Sequence, residues 1–262
     1  MSESQARAAL RRETRSHYDR HPFGFDQEEI LAEKLERRMM GDAIRRARPT
    51  DLIVDVGCGA SRVARLVQRS SKARTLGVDL SLESLRQSLR NGPGPLVNAD
   101  NLHLPLADGC ADLVISNGVI HHTPDARASF AELARITRPG GTLIVSVYDR
   151  RGWYWWVYRY LGALVRGLRR LIGDRGLRWT VFPLFHLGVL VLLPAATGRR
   201  LFVPVETSWN LFHDQFTTPQ CTFHTAEEIA GWAREAGLAC EEQRPEAAHQ
   251  LLTSRLLKRT AA

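Results

Sequence analysis

The segment DLIVDVGCGAS places Asp55, Gly57, Cys58, Gly59 and Ser61 at the end of a short apolar run. Glycine at Gly57 permits a tight turn, and glycine at Gly59 lets a ligand approach the backbone. The helix that should follow opens with unpaired N–H groups, which suit an acidic part of a ligand. Asp79 ends the next apolar run, about 20 residues beyond the glycine loop, where a carboxylate can accept bonds from ribose hydroxyls. These residues together suit a nucleoside-bearing cofactor. The loop reads G-C-G-A-S rather than G-x-G-x-x-G, and no clear second mononucleotide half follows, so a nicotinamide enzyme is the weaker alternative.

A second set of residues suits proton transfer and binding. His121 and His122 adjoin Thr123–Pro124, and an unperturbed imidazole titrates near pH 6.5, as a general base should. Bracing of the loop is the competing reading for both. His213, Asp214 and His224 form a later polar group, although adjacency of His213 and Asp214 does not make a dyad. Tyr148 and Arg150 end another apolar run, and Tyr18, His21 and Phe23 lie near the N-terminus. Trp153, Trp155, Trp156, Phe182, Phe185 and Trp209 suit either an apolar cover that excludes water or internal packing of a helical insertion. Cys58, Cys110, Cys221 and Cys240 form no C-x-x-C pair, so neither zinc nor a redox dithiol is indicated, and no metal is expected.

The elements that carry these groups follow from periodicity. Ser4 to Arg15 has a charged helical pattern. A second helix is expected over Gln27 to Arg48, with Ile30, Leu31, Leu35, Met39 and Ile44 on its apolar face and Pro49 as its stop. Leu52 to Val56 reads as a buried parallel strand, and SRVARLVQRS as the helix after it. ARTLGVDL supplies a second strand, followed by a helix capped by Ser81. LVNAD, ADLVISNG and GTLIVSVY supply three more. Thr123–Pro124 reads as the start of a helix, with proline at its first position. This alternation predicts an α/β fold with a mostly parallel sheet covered on both faces. Thr225 and Glu228 have capping-box spacing, and LACEEQRP and AHQLLTSRLLK suit two final antiparallel strands.

The stretch from Gly152 to about Phe216 breaks the rhythm. WYWWVYRYLGALVRGLRRLIG suits an amphipathic helix with a cationic end. WTVFPLFHLGVLVLLPAA approaches the roughly 18 apolar residues of a membrane span. Interrupted by Pro183, His186, Gly188 and Pro194, it reads as a buried lid helix or a monotopic membrane contact. The chain has 262 residues and a formal charge of +8. Much of its Arg excess lies between Arg150 and Arg200 beside apolar runs, with no nucleic-acid motif, so no nucleic-acid partner is expected. The charged N-terminal segment lacks the apolar stretch of a signal peptide, so a cytoplasmic location is expected, with peripheral membrane contact left open. A monomer or a homodimer fits equally.

VDVGCGAS, GVDLS, NAD-N-LHLPLADGCADLVISNGVIHH and LARITRPGGTLIVSVY, in that order, resemble the signatures of class I S-adenosylmethionine-dependent methyltransferases, of the UbiE-like or Methyltransf-11 type. The resemblance covers Leu52 to Tyr148, with a weaker match at Phe223 to Leu238. Ser61 stands where many members have a third glycine. The resemblance implies a Rossmann-like, seven-stranded, mostly parallel sheet with helices on both faces. It implies an N-terminal helical cap over 1–50, a cofactor-binding core over 51–150, a helical insertion after the fifth strand over 151–222 and a closing segment over 223–262. Asp55 and the Gly57–Cys58–Gly59 loop with Ser61 should hold the methionine and ribose portions, and Tyr18 should cover the cofactor. Asp79 should meet the ribose, Leu80 and Asp100 the adenine with Asn101 beside it, and Asn117 and Gly118 the sulfonium. His122 and His121, with His213 and Asp214, are the catalytic candidates. Phe23, Tyr148, Arg150, Trp153, Trp209 and His224 are the candidate acceptor contacts. The expected reaction is methyl transfer to O, N or C of a small or medium lipophilic metabolite. Other S-adenosylmethionine chemistry, or a noncatalytic regulatory role at a membrane, are the alternatives.

Overall fold

The structure, a computed structural model, describes residues 3–22, 38–91, 94–197 and 203–260. Phe23, and the expected helix from Gln27 as far as residue 37, lie outside the described residues. The described part of that helix is α2, Met39–Arg46, and α1 is Glu3–Arg20. The strands are β1 (Leu52–Val56), β2 (Arg74–Asp79), β3 (Leu96–Asn98), β4 (Ala111–Asn117), β5 (Thr137–Tyr148), β6 (Leu238–Glu246) and β7 (Leu251–Lys258). Between them lie α3 (Arg62–Ser70), α4 (Leu82–Asn91) and α5 (Ala126–Ile136). After β5 come α6 (Trp153–Trp156), which continues through a π-helical turn into α7 (Ala163–Thr180), then α8 (Phe182–Thr197) and α9 (Val205–Phe216). α10 (Ala226–Glu235) precedes β6.

The seven strands lie in the order β3-β2-β1-β4-β5-β7-β6. β1 to β5 pair in parallel, and β7 runs antiparallel to both β5 and β6. Alternation along the central strands feeds two cores. Ile53, Leu113, Ile115 and Ile144 face Met40 and Ile44 of α2 and Val63, Leu66 and Val67 of α3. Val54, Val56, Val114 and Val145 face Phe130, Leu133 and Ile136 of α5 and Ile229 and Ala233 of α10. Near-continuous apolar strands are therefore required, because both sheet faces are covered.

Local signals place most element ends. The Ser81 hydroxyl accepts a bond from Ser84 N at 3.1 Å, and Thr225 and Glu228 form a reciprocal capping box. The start of α5 differs from expectation. Asp125, not Thr123, is its cap, accepting from Ala128 N at 3.0 Å. Ile120–His122 forms a 3₁₀ turn instead, and Thr123 and Pro124 remain outside the helix. β5 also begins at Thr137, before the two glycines expected to end the helix there.

The insertion has its own core of Val165, Leu177, Phe182, Trp209, Phe212 and Phe216. Tyr148 of β5, Tyr154 of α6 and Leu251 of β7 join it to the sheet. No described helix is long and apolar enough to cross a membrane.

Candidate active site

A cavity of about 300 Å³ opens over the carboxyl ends of the parallel strands. That is where an open α/β sheet leaves a crevice, because the connections on either side of β1 diverge toward opposite faces. Gly57 and Gly59 line it after β1, Asp79 and Leu80 after β2, and Asp100 and Asn101 after β3. Asn117, Gly118 and His122 follow β4, and Tyr148 ends β5. Arg11 and Tyr18 of α1 and Leu211, Asp214 and Gln215 of α9 complete the walls.

The glycine loop is held by its neighbours. Gly57 has φ +82°, and a β-carbon there would sit 2.3 Å from a Val119 methyl. The Gly57 and Cys58 N–H groups both donate to Val78 O, at 2.7 and 3.0 Å. The Asp79 carboxylate accepts from Gly59 N at 2.9 Å and Ser81 N at 2.8 Å, locking the ends of β1 and β2 together. Ser61 adopts the left-handed conformation, φ +57° and ψ +39°. That conformation costs a non-glycine residue about 1 kcal/mol, which explains why glycine suits this position. Its hydroxyl bonds that of Ser88, which in turn donates to Gly59 O at 2.7 Å.

Three residues expected at the cofactor lie behind this loop rather than on the cavity wall. Asp55, Cys58 and Ser61 surround a small void of about 10 Å³. Burial, then the charge of Asp79, raises the Asp55 carboxyl to about 7. Asp100 is on the wall, its carboxylate accepting from Leu102 N at 3.1 Å and from Arg11 at 3.0 Å. Asn117 Oδ1 is buried without a hydrogen-bond partner, and Gly118, at φ +76°, has open space where a side chain would project. A bare backbone and an orphaned acceptor on one wall fit a polar ligand group seated there.

His122 and Asp214 both face the cavity. His122 Nδ1 lies 2.8 Å from Gln220 O, so Nδ1 carries the proton and Nε2 is left as the basic atom. Burial lowers its pKa, partly offset by Asp214, and keeps the ring neutral at neutral pH. Tyr18 OH donates to Asp214 Oδ1 at 3.3 Å, and Gln215 Nε2 to Oδ2 at 3.0 Å. Burial raises the Asp214 carboxyl, and His122 opposes that rise.

His121 and His213 are placed elsewhere. His121 is fully buried behind the cavity, its Nδ1 accepting from Tyr148 N at 3.3 Å. His213 Nδ1 bonds Thr217 Oγ1 at 2.6 Å, and its ring stacks on His21 at 3.7 Å with planes 4° apart. His21, His213 and Asp174 bring donor atoms within 4.8 Å of one another. Parallel rings aim their lone pairs side by side, however, and Arg169 engages both oxygens of Asp174 at 2.5 and 3.0 Å. The cluster therefore reads as packing.

Four expected acceptor contacts are engaged away from the cavity. Arg150 donates to Phe223 O and pairs with Glu228 at 3.1 Å. Trp153 donates to Ala248 O at 2.7 Å, and Trp209 stacks on Phe212 within the insertion core. His224 bonds Thr222 Oγ1 at 2.9 Å. Sequence reasoning missed Arg11, Thr14, Arg38, Leu211, Gln215 and Gln250 on the cavity wall. Only α1, the start of α2, α9 and the β6–β7 turn bring them there, and no local motif marks them.

Comparison with known proteins agrees with this geometry. Residues 54–145 match the family model described as a methyltransferase domain. Probable tRNA methyltransferase 9B of Mus musculus is 36% identical over 104 residues, 38% of this chain and 22% of that protein. The chain thus spans about a fifth of that relative's length. An uncharacterized methyltransferase of Mycobacterium tuberculosis is 29% identical over 164 residues, 58% of this chain and 82% of that one. Among solved structures, 1,6-didemethyltoxoflavin-N1-methyltransferase of Burkholderia thailandensis, with bound acceptor and S-adenosylhomocysteine, superposes with a TM-score of 0.56. It is 18% identical, and the match covers 99% of this chain and 92% of that chain, a likeness of fold. With its glycine loop, its acidic residue after β2 and its strand order, the chain has the fold of the class I S-adenosylmethionine-dependent methyltransferases, and residues 54–145 resemble their methyltransferase domain.

Proposed function

We propose that the chain transfers the methyl group of S-adenosylmethionine to an O, N or C nucleophile of a small or medium lipophilic metabolite. The observation that carries this reading is the division of one cavity between two kinds of wall. Over β1, β2 and β3 it offers glycine backbone and carboxylates, suited to the cofactor. Over β4, β5 and α9 it offers Tyr148, Leu211 and Val119 around His122 and Asp214, suited to an apolar acceptor with one ionisable atom.

The cofactor supplies an activated methyl group on a sulfonium, which leaves as a neutral thioether. The chain's residues then have two tasks, alignment and proton management. Asp79, Leu80 and Asp100 orient the nucleoside, and Asn117 and Gly118 border the reacting end. His122 Nε2 takes the proton that an acceptor hydroxyl or ammonium must lose. Asp214 then faces the resulting imidazolium, its carboxylate fixed by Tyr18 and Gln215. Enclosure by α1 and α9 limits water at the methyl group.

Incubation of the purified chain with methyl-labelled S-adenosylmethionine and a lipid extract tests the reading. Labelled apolar product and S-adenosylhomocysteine should appear in equal amounts by mass spectrometry. Binding of S-adenosylhomocysteine without any labelled product would sink it.

A further inference from the structure

Of the fifteen large apolar residues exposed among the described ones, thirteen lie in the insertion. Their spacing is helical. Trp153, Trp156, Tyr160 and Leu164 recur at three- and four-residue steps along α6 and the start of α7. The Trp156 and Tyr160 rings stack outside the fold, 5.8 Å apart. At the other end of α7, Leu171 is 83% and Trp179 79% exposed. α8 is apolar on both sides. Phe182 and Phe185 pack inward on Phe212, while Leu184, Leu187 and Val191 face outward, Leu184 at 74% exposure. A helix apolar all round normally lies inside a protein core or in lipid, and among the described residues Leu184, Leu187, Val191 and Leu192 of α8 are left exposed.

The charge around these stripes is predominantly positive, although Arg150, Arg151 and Arg178 pair with Glu228, Glu227 and Glu206. Residues 150–200 hold ten arginines and a single acidic residue, Asp174, which Arg169 engages. Arg159, Arg170 and Arg175 are exposed beside the apolar stripes. A second copy of the chain would set arginines against arginines across such a face. An anionic lipid surface would neutralise them, and tryptophan and tyrosine favour the interfacial depth at which arginines meet headgroups.

We infer that the outer face of α6, α7 and α8 is a monotopic docking surface for an anionic lipid bilayer. α9 lies beneath these helices, carrying Phe212 in their core and Leu211 and Asp214 on the cavity wall. The same helical layer thus meets the membrane on one side and bounds the site on the other. The surface stands on exposure and charge, independently of the methyl-transfer reading.

Sedimentation of the full chain with vesicles tests it, using phosphatidylcholine alone and phosphatidylcholine mixed with phosphatidylserine. Binding is expected to the mixed vesicles, weakened by added salt. The pair Leu171→Ser and Trp179→Ser should lower it at least about tenfold, and Arg170→Glu with Arg175→Glu by a similar factor. Each variant's fold is checked by its circular dichroism and by calorimetric affinity for S-adenosylhomocysteine. Failure of the folded, cofactor-binding wild type to sediment with either vesicle would overturn the inference. So would equal binding to both vesicles, or a solution dimer that these substitutions dissolve in a chain with no lipid binding. Vesicle binding by a chain without cofactor affinity would leave the surface standing and remove only the proposed reaction.

Discussion

Asp79 illustrates how one side chain serves both the fold and the site. Its two oxygens accept N–H groups from Gly59 and Ser81, so it shapes the loop that it would share with a ribose. Hydrogen bonds to a charged group contribute about 1.5–3 kcal/mol each. Asp79→Asn, which keeps the volume, should therefore weaken S-adenosylhomocysteine binding by roughly tenfold to a hundredfold. Calorimetry on a variant with a wild-type melting profile would show it, and unchanged affinity would remove Asp79 from the site. His122 gives a pH-dependent prediction. Burial holds its pKa below the ordinary value, and the neutral ring is the active form. The acid limb of kcat/KM should lie below about pH 6.5, with activity lost as pH falls through it. His122→Gln should remove that limb and lower kcat about a hundredfold while cofactor affinity holds. A limb above the ordinary histidine range would argue against His122 as the base.

At the scale of elements, α1 ties the cavity together. Arg11 reaches Asp100 after β3, Asp19 accepts from Ser81 Oγ at 2.7 Å, and Tyr18 reaches Asp214 of α9. On the same helix, His17 is 2% exposed, its ring 6.1 Å from that of His213. Burial, then His21 and His213, lowers its pKa to about 2. The unfolded chain protonates this residue near pH 6.5, whereas the folded chain does so only near its lowered value. Stability from this residue is therefore full above about pH 6.5 and lost progressively as pH falls toward the folded pKa. His17→Leu removes that titration and leaves the rest of the chain's ionisable groups in place. Between about pH 4.5 and 6.5, its unfolding free energy should depend on pH less steeply, by about 1.4 kcal/mol per unit. Urea titrations at several pH values measure this, and equal slopes would show that His17 is not buried neutral.

The whole molecule is a doubly covered sheet with a helical layer over one end of its crevice. The insertion carries a core of its own around Phe212. Its attachment runs through Tyr148, Tyr154 and Leu251, and Tyr154 OH donates to Gln215 O at 2.6 Å. That arrangement brings Asp214 of α9 and His122 to one cavity. The site is thus assembled from α1, five strand ends and α9, elements distant in the chain.

The sequence by itself determined the sheet and the loop that binds at its edge. Apolar runs, capping residues and the glycines near Asp55 are local signals, and each constrains its own few residues. Val54 and Ile53 show why the helical layers were legible as well, since alternate residues must meet helices on opposite faces. Tertiary structure alone decided which polar groups share the cavity. His121 and His122 are neighbours, yet the 3₁₀ turn points one at Tyr148 N and the other at the cavity. His213 and Asp214 diverge in the same way, because successive helical side chains lie about 100° apart around the axis. Direction around a turn or a helix depends on what packs against it, and that is settled only when α1, α9 and β5 meet.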